Sequence, residues 1–369
     1  MSIDRLPARV RALPEPERAR FGRLFEVDAQ EGTCVVPASM RESVIATYGS
    51  VEAVERQRVV RVTNTVVWEG AQYNPLRLRR PMPRGAPPAR ARQGFDPFER
   101  PLETTAADVF GRIRGQHCIT TSNIARWEAV HAVLIFEPFD PLDFDAGHLR
   151  DYFAASRAWA AAARAELARE GQPDAPYFIW LWNGGAMGGA SVAHAHAQLA
   201  LARGRAYATV ERLRRAALDY TARHGHNYFD DLRAAHDDVG LGFHAAGLPG
   251  FVNLAGLRAW DTWVLGDAFD DALADAFAAA LRALVDRAGM SAFTASVVMP
   301  PIDADGRRER PDDPAWHGFP FIARVVDRGR AEAASSDIGS LDLFGASVIG
   351  HDPYTAVAAL NAAEEAAHG

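Results

Sequence analysis

Asn183-Gly-Gly-Ala-Met-Gly-Gly-Ala-Ser191-Val-Ala-His194-Ala-His196-Ala-Gln198-Leu-Ala-Leu201 is the stretch on which the reading of this chain turns. Successive strand side chains point to opposite faces, so the alternation predicts His194, His196 and Gln198 in one row, with Ala195, Ala197 and Leu199 behind it. Upstream, the run Asn183 to Ala190 has the glycine content of a loop whose backbone approaches an anion closely. A glycine-rich loop feeding a His-x-His-x-Gln strand points to phosphate chemistry with a histidine nucleophile. Imidazole suits that work because a neutral fraction exists at pH 7 and a phosphoramidate is reactive enough to be resolved. Phosphoryl-type transition states also need donors already in place on the equatorial oxygens. The loop N–H groups, Ser191 and Asn183 offer them, and Gln198 can hold an oxygen without delivering a proton. His-x-His alone also fits two metal ligands or two structural histidines. The glycine approach, which a metal site does not need, favours catalysis.

Composition narrows the setting. With 369 residues and 48% hydrophobic content the chain can bury one large core or two fused ones. A net charge of −7 argues against a nucleic-acid partner. All forty basic residues are arginine, which excludes a Schiff-base lysine and a GKS or GKT phosphate loop. Cys34 and Cys118 stand far apart and support neither a disulfide framework nor a cysteine-rich zinc site. The N-terminal stretch lacks an apolar signal core, and no window approaches about 18 uninterrupted apolar residues. A cytoplasmic protein without a membrane partner is expected.

Along the chain, residues 1–30 read as helical and Arg58–Trp68 as a strand. Pro81–Gly94 reads as an exposed, mobile Pro/Arg loop. His117–Asn123 and Ala129–Phe136 are two strands joined by a turn at Ile124–Glu128. Asp145 N-caps a helix over Ala146–Glu170, and Tyr177–Trp182 is the strand entering the glycine loop. A helix of about 20 residues begins near Tyr207. In the second half Gly250–Leu254, Asp261–Leu265, Ala292–Met299 and Phe319–Val326 read as strands and Phe269–Ala288 as a helix. Strand–strand–helix–strand–strand therefore occurs twice. The expectation is an α+β fold, an antiparallel sheet with packed helices, duplicated, with Phe321-Ile-Ala-Arg-Val-Val where the first half has His-x-His-x-Gln. The expected division is an extension over 1–69, a catalytic half over 70–205 and a degenerate half over 206–369.

The segment from Asn183 to Gln198 resembles the signature of the histidine-triad superfamily. More narrowly it resembles the transferase branch that holds galactose-1-phosphate uridylyltransferase and diadenosine tetraphosphate phosphorylase. Gly189, Ser191, His194, His196 and Gln198 fall on the branch pattern, with Ala193 where proline is usual. Asn123 and His131, followed by Ala-Val-Leu-Ile, match the superfamily's Asn-x7-His hairpin. Tyr73-Asn-Pro-Leu-Arg77 is similar to an Asn-Pro motif of this branch, and the stretch around Trp316 and His317 matches only loosely.

The resemblance implies that His196 is the nucleophile carrying a nucleoside monophosphate and that His194 supports it. Ser191, Gly189, Gln198 and Asn183 would hold the α-phosphate. Asn123 would reach the nucleoside and His131 would wall its pocket. It implies a nucleotide or nucleotide-sugar substrate, a phosphate or sugar-phosphate acceptor, and a homodimer. Gln198 in place of a third histidine favours transfer over hydrolysis. A hydrolase of nucleotide anhydrides, a nucleotide-binding protein without catalysis and a metal-dependent hydrolase are the alternatives. Uridylyltransferases often bind zinc through Cys-x-x-Cys and histidines. This chain has no such pair, so no cofactor and no metal are expected, with only His117, Cys118 and His194 left to meet in space. His224-Gly-His226 reads as a solvated turn.

Overall fold

The computed structural model describes residues 1–80, 94–333 and 340–368. The Pro/Arg stretch 81–93 lies outside them. The chain begins with helices α1 (Leu6–Ala12) and α2 (Glu15–Leu24) and runs straight into strand β1 (Phe25–Thr33). The helical reading of residues 1–30 therefore stops at Leu24. From there Phe25, Val27 and Ala29 alternate with polar residues, and that period of two suits a strand. Helices α3 (Arg41–Tyr48) and α4 (Val51–Glu55) lead to β2 (Arg56–Asn64) and β3 (Glu69–Tyr73). Strand β2 ends at Asn64 instead of continuing to Trp68. Asn64 Oδ1 accepts from the N–H groups of Val66 and Val67, and the resulting turn leaves Trp68 at φ 56°.

Helix α5 (Pro101–Thr104) precedes the hairpin β4 (Cys118–Ser122) and β5 (Val130–Phe136), then α6 (Ala146–Arg169), β6 (Tyr177–Gly184) and β7 (His196–Ala202). Helices α7 (Ala208–His224) and α8 (Tyr228–Asp238) bridge to the second half. That half contains β8 (Gly242–Ala245), β9 (Leu248–Val252), β10 (Thr262–Gly266), α9 (Asp271–Ala283), β11 (Phe293–Val298) and β12 (Phe321–Asp327). Strand β13 (Ala346–Ile349) returns parallel to β3, and α10 (Pro353–His368) closes the chain. Asp145 caps α6 by accepting from His148 N–H at 2.9 Å, and Asp270 caps α9 in the same way at 3.1 Å.

Two sheets result: a four-stranded one in the order β1-β2-β3-β13, and a nine-stranded one in the order β4-β5-β7-β6-β11-β12-β10-β9-β8. Every pairing in the larger sheet is antiparallel. The order β4-β5-β7-β6 is matched by β9-β10-β12-β11, and the two copies meet along β6 and β11. The same motif has been laid down twice.

Helices α6 and α9 cover one face of this sheet and touch each other there. Trp159, Trp180, Trp182, Phe277 and Phe293 are buried in that layer. Phe153 stacks on Phe269 at 4.0 Å, and Trp182 meets Phe293 edge-on at 4.9 Å across the seam. Each buried phenylalanine contributes about 1.5–3 kcal/mol of transfer free energy. The other face is treated differently in the two halves. Over β10 and β12 it is covered by the small sheet: Tyr73 Oη donates to Leu254 O at 2.8 Å and Asn64 Nδ2 to Tyr228 Oη at 2.9 Å. Over β5 and β7 it carries the histidines. Among the described residues no helix is long and apolar enough to cross a membrane.

Candidate active site

The strand begins at His196, not at Ser191. The residues before it bend, because Ala195 pairs its N–H with Phe139 O at 2.9 Å and its carbonyl with Phe136 N–H at 3.1 Å. The expected row of three is thus a row of two. His196 lies opposite Ile135 and Gln198 opposite Val133 on the open face. His194 turns inward and is buried, with Nδ1 2.7 Å from Asp96 Oδ2 and Nε2 2.8 Å from Phe136 O. Each ring nitrogen of His194 thus faces an oxygen acceptor.

His196 is oriented by its neighbour's backbone. Its Nδ1 donates to His194 O at 2.7 Å, which leaves the lone pair on Nε2. No described residue hydrogen-bonds that Nε2. Phe98 stands edge-on to the ring at 5.2 Å. Burial pushes His196 below the ordinary imidazole range; the His194 carbonyl opposes this shift and the charge on His194 adds to it. The ring is therefore neutral near pH 7, as a nucleophile requires.

The glycine loop is shaped by the second half of the chain. It makes a short 3-10 turn over Ala186–Gly188. A Cβ on Gly188 would lie 2.2 Å from Phe293 O, and one on Gly184 would lie 2.5 Å from the Phe293 ring. Gly185 and Gly189 have φ of 81° and 99°. The N–H groups of Gly188, Gly189 and Ala190 close the loop on itself. Among the described residues nothing accepts from the N–H groups of Ser191, Val192 or Ala193, just before His194. The backbone donors available to an anion thus follow the glycines. The Ser191 side chain is exposed, and Asn183 Nδ2 lies a long 3.5 Å from Gly189 O.

The Asn-x7-His hairpin meets the site through Gln198. Asn123 N–H donates to His131 O at 3.0 Å, and its side-chain Oδ1 accepts from Ala125 N–H at 2.8 Å. Asn123 Nδ2 lies 3.2 Å from His131 Nε2, which is 3.0 Å from Gln198 Oε1. Burial lowers the pKa of His131, with the hydrogen bond to Gln198 opposing. Trp127 Nε1 donates to the same Gln198 oxygen at 3.1 Å.

Sequence reading missed Asp96, Phe98 and Trp127. Asp96 and Phe98 lie almost a hundred residues from the histidines, beside a Pro/Arg stretch without periodicity. Trp127 sits in a turn that read as a connector. No local pattern marks any of them.

The residues left to meet at a zinc of the kind the resemblance attaches to uridylyltransferases each have another partner. His194 is held by Asp96 and Phe136 O, His117 Nδ1 pairs with Glu137, and Cys118 lies against Asp151. Cys34 is exposed. Among the described residues no group of three or more His, Cys, Asp or Glu could hold a metal ion. His224 ends α7 and Gly225 caps it at φ 73°. Asn74 of the Asn-Pro motif caps the short turn Pro75–Arg79.

No family model matches the chain, and no curated protein matches it. Solved structures do. An ADP-glucose phosphorylase from Arabidopsis thaliana, with bound ADP-glucose, aligns with a TM-score of 0.55 and 13% identity over 81% of this chain and 97% of that one. A uridylyltransferase aligns with 0.56 and 16% identity over 77% and 96%, and a mutant uridylyltransferase with 0.53 and 16% over 69% and 90%. At these identities the likeness is one of fold, and it is the fold that the sequence resemblance implied.

Proposed function

We propose that this chain, which has the fold of uridylyltransferases and of an ADP-glucose phosphorylase, is a nucleotidyltransferase whose nucleophile is His196 Nε2. The observation that carries the reading is the hydrogen bond from His196 Nδ1 to His194 O at 2.7 Å, which puts the lone pair on the unpartnered nitrogen. Nε2 attacks the α-phosphorus of a nucleoside diphosphate sugar or dinucleoside polyphosphate. The P–N bond forms as the bridging P–O bond breaks, and the leaving phosphate takes that electron pair. The cation so formed on the ring keeps its Nδ1–H on the His194 carbonyl. An oxygen of the acceptor, inorganic phosphate or a sugar 1-phosphate, then attacks phosphorus, and the P–N electrons return to Nε2. The N–H groups of Ser191–Ala193, the Ser191 hydroxyl and the Gln198 amide are the donors for the equatorial oxygens. Asn183 and Gly189 shape their approach. Asn123 and His131 frame the nucleoside side, and residues 206–369 brace the loop through Phe293.

The test is incubation with α-32P-labelled ADP-glucose, UDP-glucose and diadenosine tetraphosphate. The expected product is a protein-bound label that is acid-labile, base-stable and absent from His196→Gly. Phosphate or a sugar 1-phosphate should then discharge it. Reversible binding without adduct from any of the three would overturn the proposal, as would labelling that survives His196→Gly.

A further inference from the structure

We infer that Trp127 is a positioning residue for the proposed transfer: its indole N–H fixes the Gln198 amide so that Nε2 faces the reacting phosphate. This inference rests on the nucleotidyltransferase reading. A glutamine amide has two edges, one that only accepts and one that only donates, and rotating its last torsion exchanges them. In this site the indole N–H of Trp127 donates to Gln198 Oε1 at 3.1 Å, and His131 Nε2 lies 3.0 Å from the same oxygen. His131 is buried with a lowered pKa, hence neutral, and the backbone N–H of Trp127 points at its Nδ1 from 3.4 Å. Asn123 Nδ2 lies 3.2 Å from its Nε2, so an N–H donor faces each ring nitrogen of His131 and the indole is the donor that orients the amide. A flipped amide would set its own NH2 against the indole N–H, so Trp127 favours the observed rotamer.

The consequence lies on the other edge of the amide. Gln198 Nε2 donates to no described residue, and Gln198 shares the open face with His196 two residues away on β7. Presented this way, Gln198 is a donor ready for an equatorial phosphate oxygen. In the flipped rotamer it would set a carbonyl oxygen against that negative charge. The indole itself is 44% exposed, and its ring centroid lies 4.4 Å from that of His131 at a tilt of 52°. A residue in an open turn, far from Gln198 in sequence, thus decides which edge of the amide the substrate meets.

A double-mutant cycle tests this, read as the rate constant of adduct formation on His196 with labelled ADP-glucose, or whichever of the three probes labels the wild type. Trp127→Phe keeps an aromatic ring and removes the donor; it should slow adduct formation about three- to tenfold, the value of one hydrogen bond. Gln198→Ala should slow it more, and adding Trp127→Phe to Gln198→Ala should change nothing further. Equal slowing by Trp127→Phe in both backgrounds would overturn the inference, as would no slowing in the wild-type background. If Trp127→Phe lowers the melting temperature, the same cycle run well below it keeps the comparison valid. Absence of adduct in the wild type with all three probes would be a failure of the transferase reading itself and is seen before any variant is made.

Discussion

The two halves of the large sheet carry the same hairpin and finish it with opposite chemistry. In the first, Asn123 N–H closes on His131 O at 3.0 Å; in the second, Asn253 N–H closes on Asp261 O at 2.7 Å, with seven residues between the pair in each case. Gln198 faces Val133, two residues beyond His131, and Arg324 faces Trp263, two residues beyond Asp261. His196 faces Ile135 and Ile322 faces Leu265, again in matching register. Asn–His–Gln with His196 therefore corresponds to Asn–Asp–Arg with an isoleucine. The first set holds no carboxylate or arginine and leaves the Gln198 Nε2 donor without a partner among the described residues. The second closes on itself: Arg324 makes two hydrogen bonds to Asp261, at 2.8 and 2.6 Å, while Asn253 and Trp263 donate to the same carboxylate. The small sheet then seals it, with Asn64 and Glu69 beside Arg324 and only about 20 Å³ left between them. A site and a strut have been made from one backbone by changing three side chains and covering one face.

The largest effect expected from this contrast is at the paired positions His196 and Ile322. Removing the imidazole in His196→Gly should abolish adduct formation, a loss of about a thousandfold or more for a covalent nucleophile. Ile322→Val should leave the labelling rate unchanged and reduce stability by about 0.5–1.5 kcal/mol, read by denaturant unfolding. Labelling that depended on Ile322 would mean that the halves share one site. The next effect is on the strut. Arg324→Met leaves the Asp261 carboxylate buried without its charge partner and should cost about 3–5 kcal/mol. The corresponding change in the first half, Gln198→Met, removes the acceptor of the Trp127 indole beside buried His131 and should cost less, about 1–2 kcal/mol in the same unfolding measurement. A small loss at Arg324 would show that the pair is solvated and the seal incomplete.

How far such a contrast can be read before seeing the fold depends on what is local. The two strand–strand–helix–strand–strand runs are legible because apolar alternation and Asp caps act over a few residues; Asp145 and Asp270 begin α6 and α9 in the same way. His196 and Gln198 share a face because their spacing of two survives in β7. His194 does not join them, since Phe136 and Phe139 hold the chain before the strand begins, and those contacts are invisible in a one-dimensional alternation. Asp96 was beyond reach for the same reason, as its partner lies 98 residues away. The glycines are legible as glycines but not for their cause. At Gly184 and Gly188 a Cβ would run into Phe293 from the other half, a contact that no local pattern shows.

A smaller effect separates the halves by pH. In the second, His236 is buried between an acceptor and a donor: its Nδ1 donates to Leu232 O at 2.8 Å and its Nε2 accepts from Leu254 N–H at 3.1 Å, with Phe251 stacked at 4.3 Å. Burial lowers its pKa to about 4. The unfolded chain takes up a proton near pH 6.5 that the folded chain refuses, so this contribution to stability is present above pH 6.5 and is lost as pH falls from 6.5 towards 4. The ceiling is about 3 kcal/mol for such a shift. Denaturant unfolding at pH 7 and pH 4.5 should show a smaller loss in His236→Asn than in the wild type, although the variant starts less stable. Equal losses would place no proton-linked stability at His236.

The smallest effect concerns the proposed nucleophile itself. On the proposed mechanism adduct formation needs neutral His196, and burial is the first cause of its lowered pKa, so the midpoint of the rate profile should lie below the ordinary imidazole value, with the rate falling as pH falls through it. Phe98 is one of the groups excluding water from the ring. Phe98→Ala should therefore move the midpoint of the rate profile upwards, by less than about one unit, towards the ordinary imidazole value. Labelling rates measured across pH 5 to 8 for both proteins decide it; a wild-type midpoint at or above 6.5, or an unmoved midpoint in Phe98→Ala, would remove burial as the cause. The second half has no such titration at the matching place, because Ile322 carries no proton and Arg324 keeps its charge throughout this range.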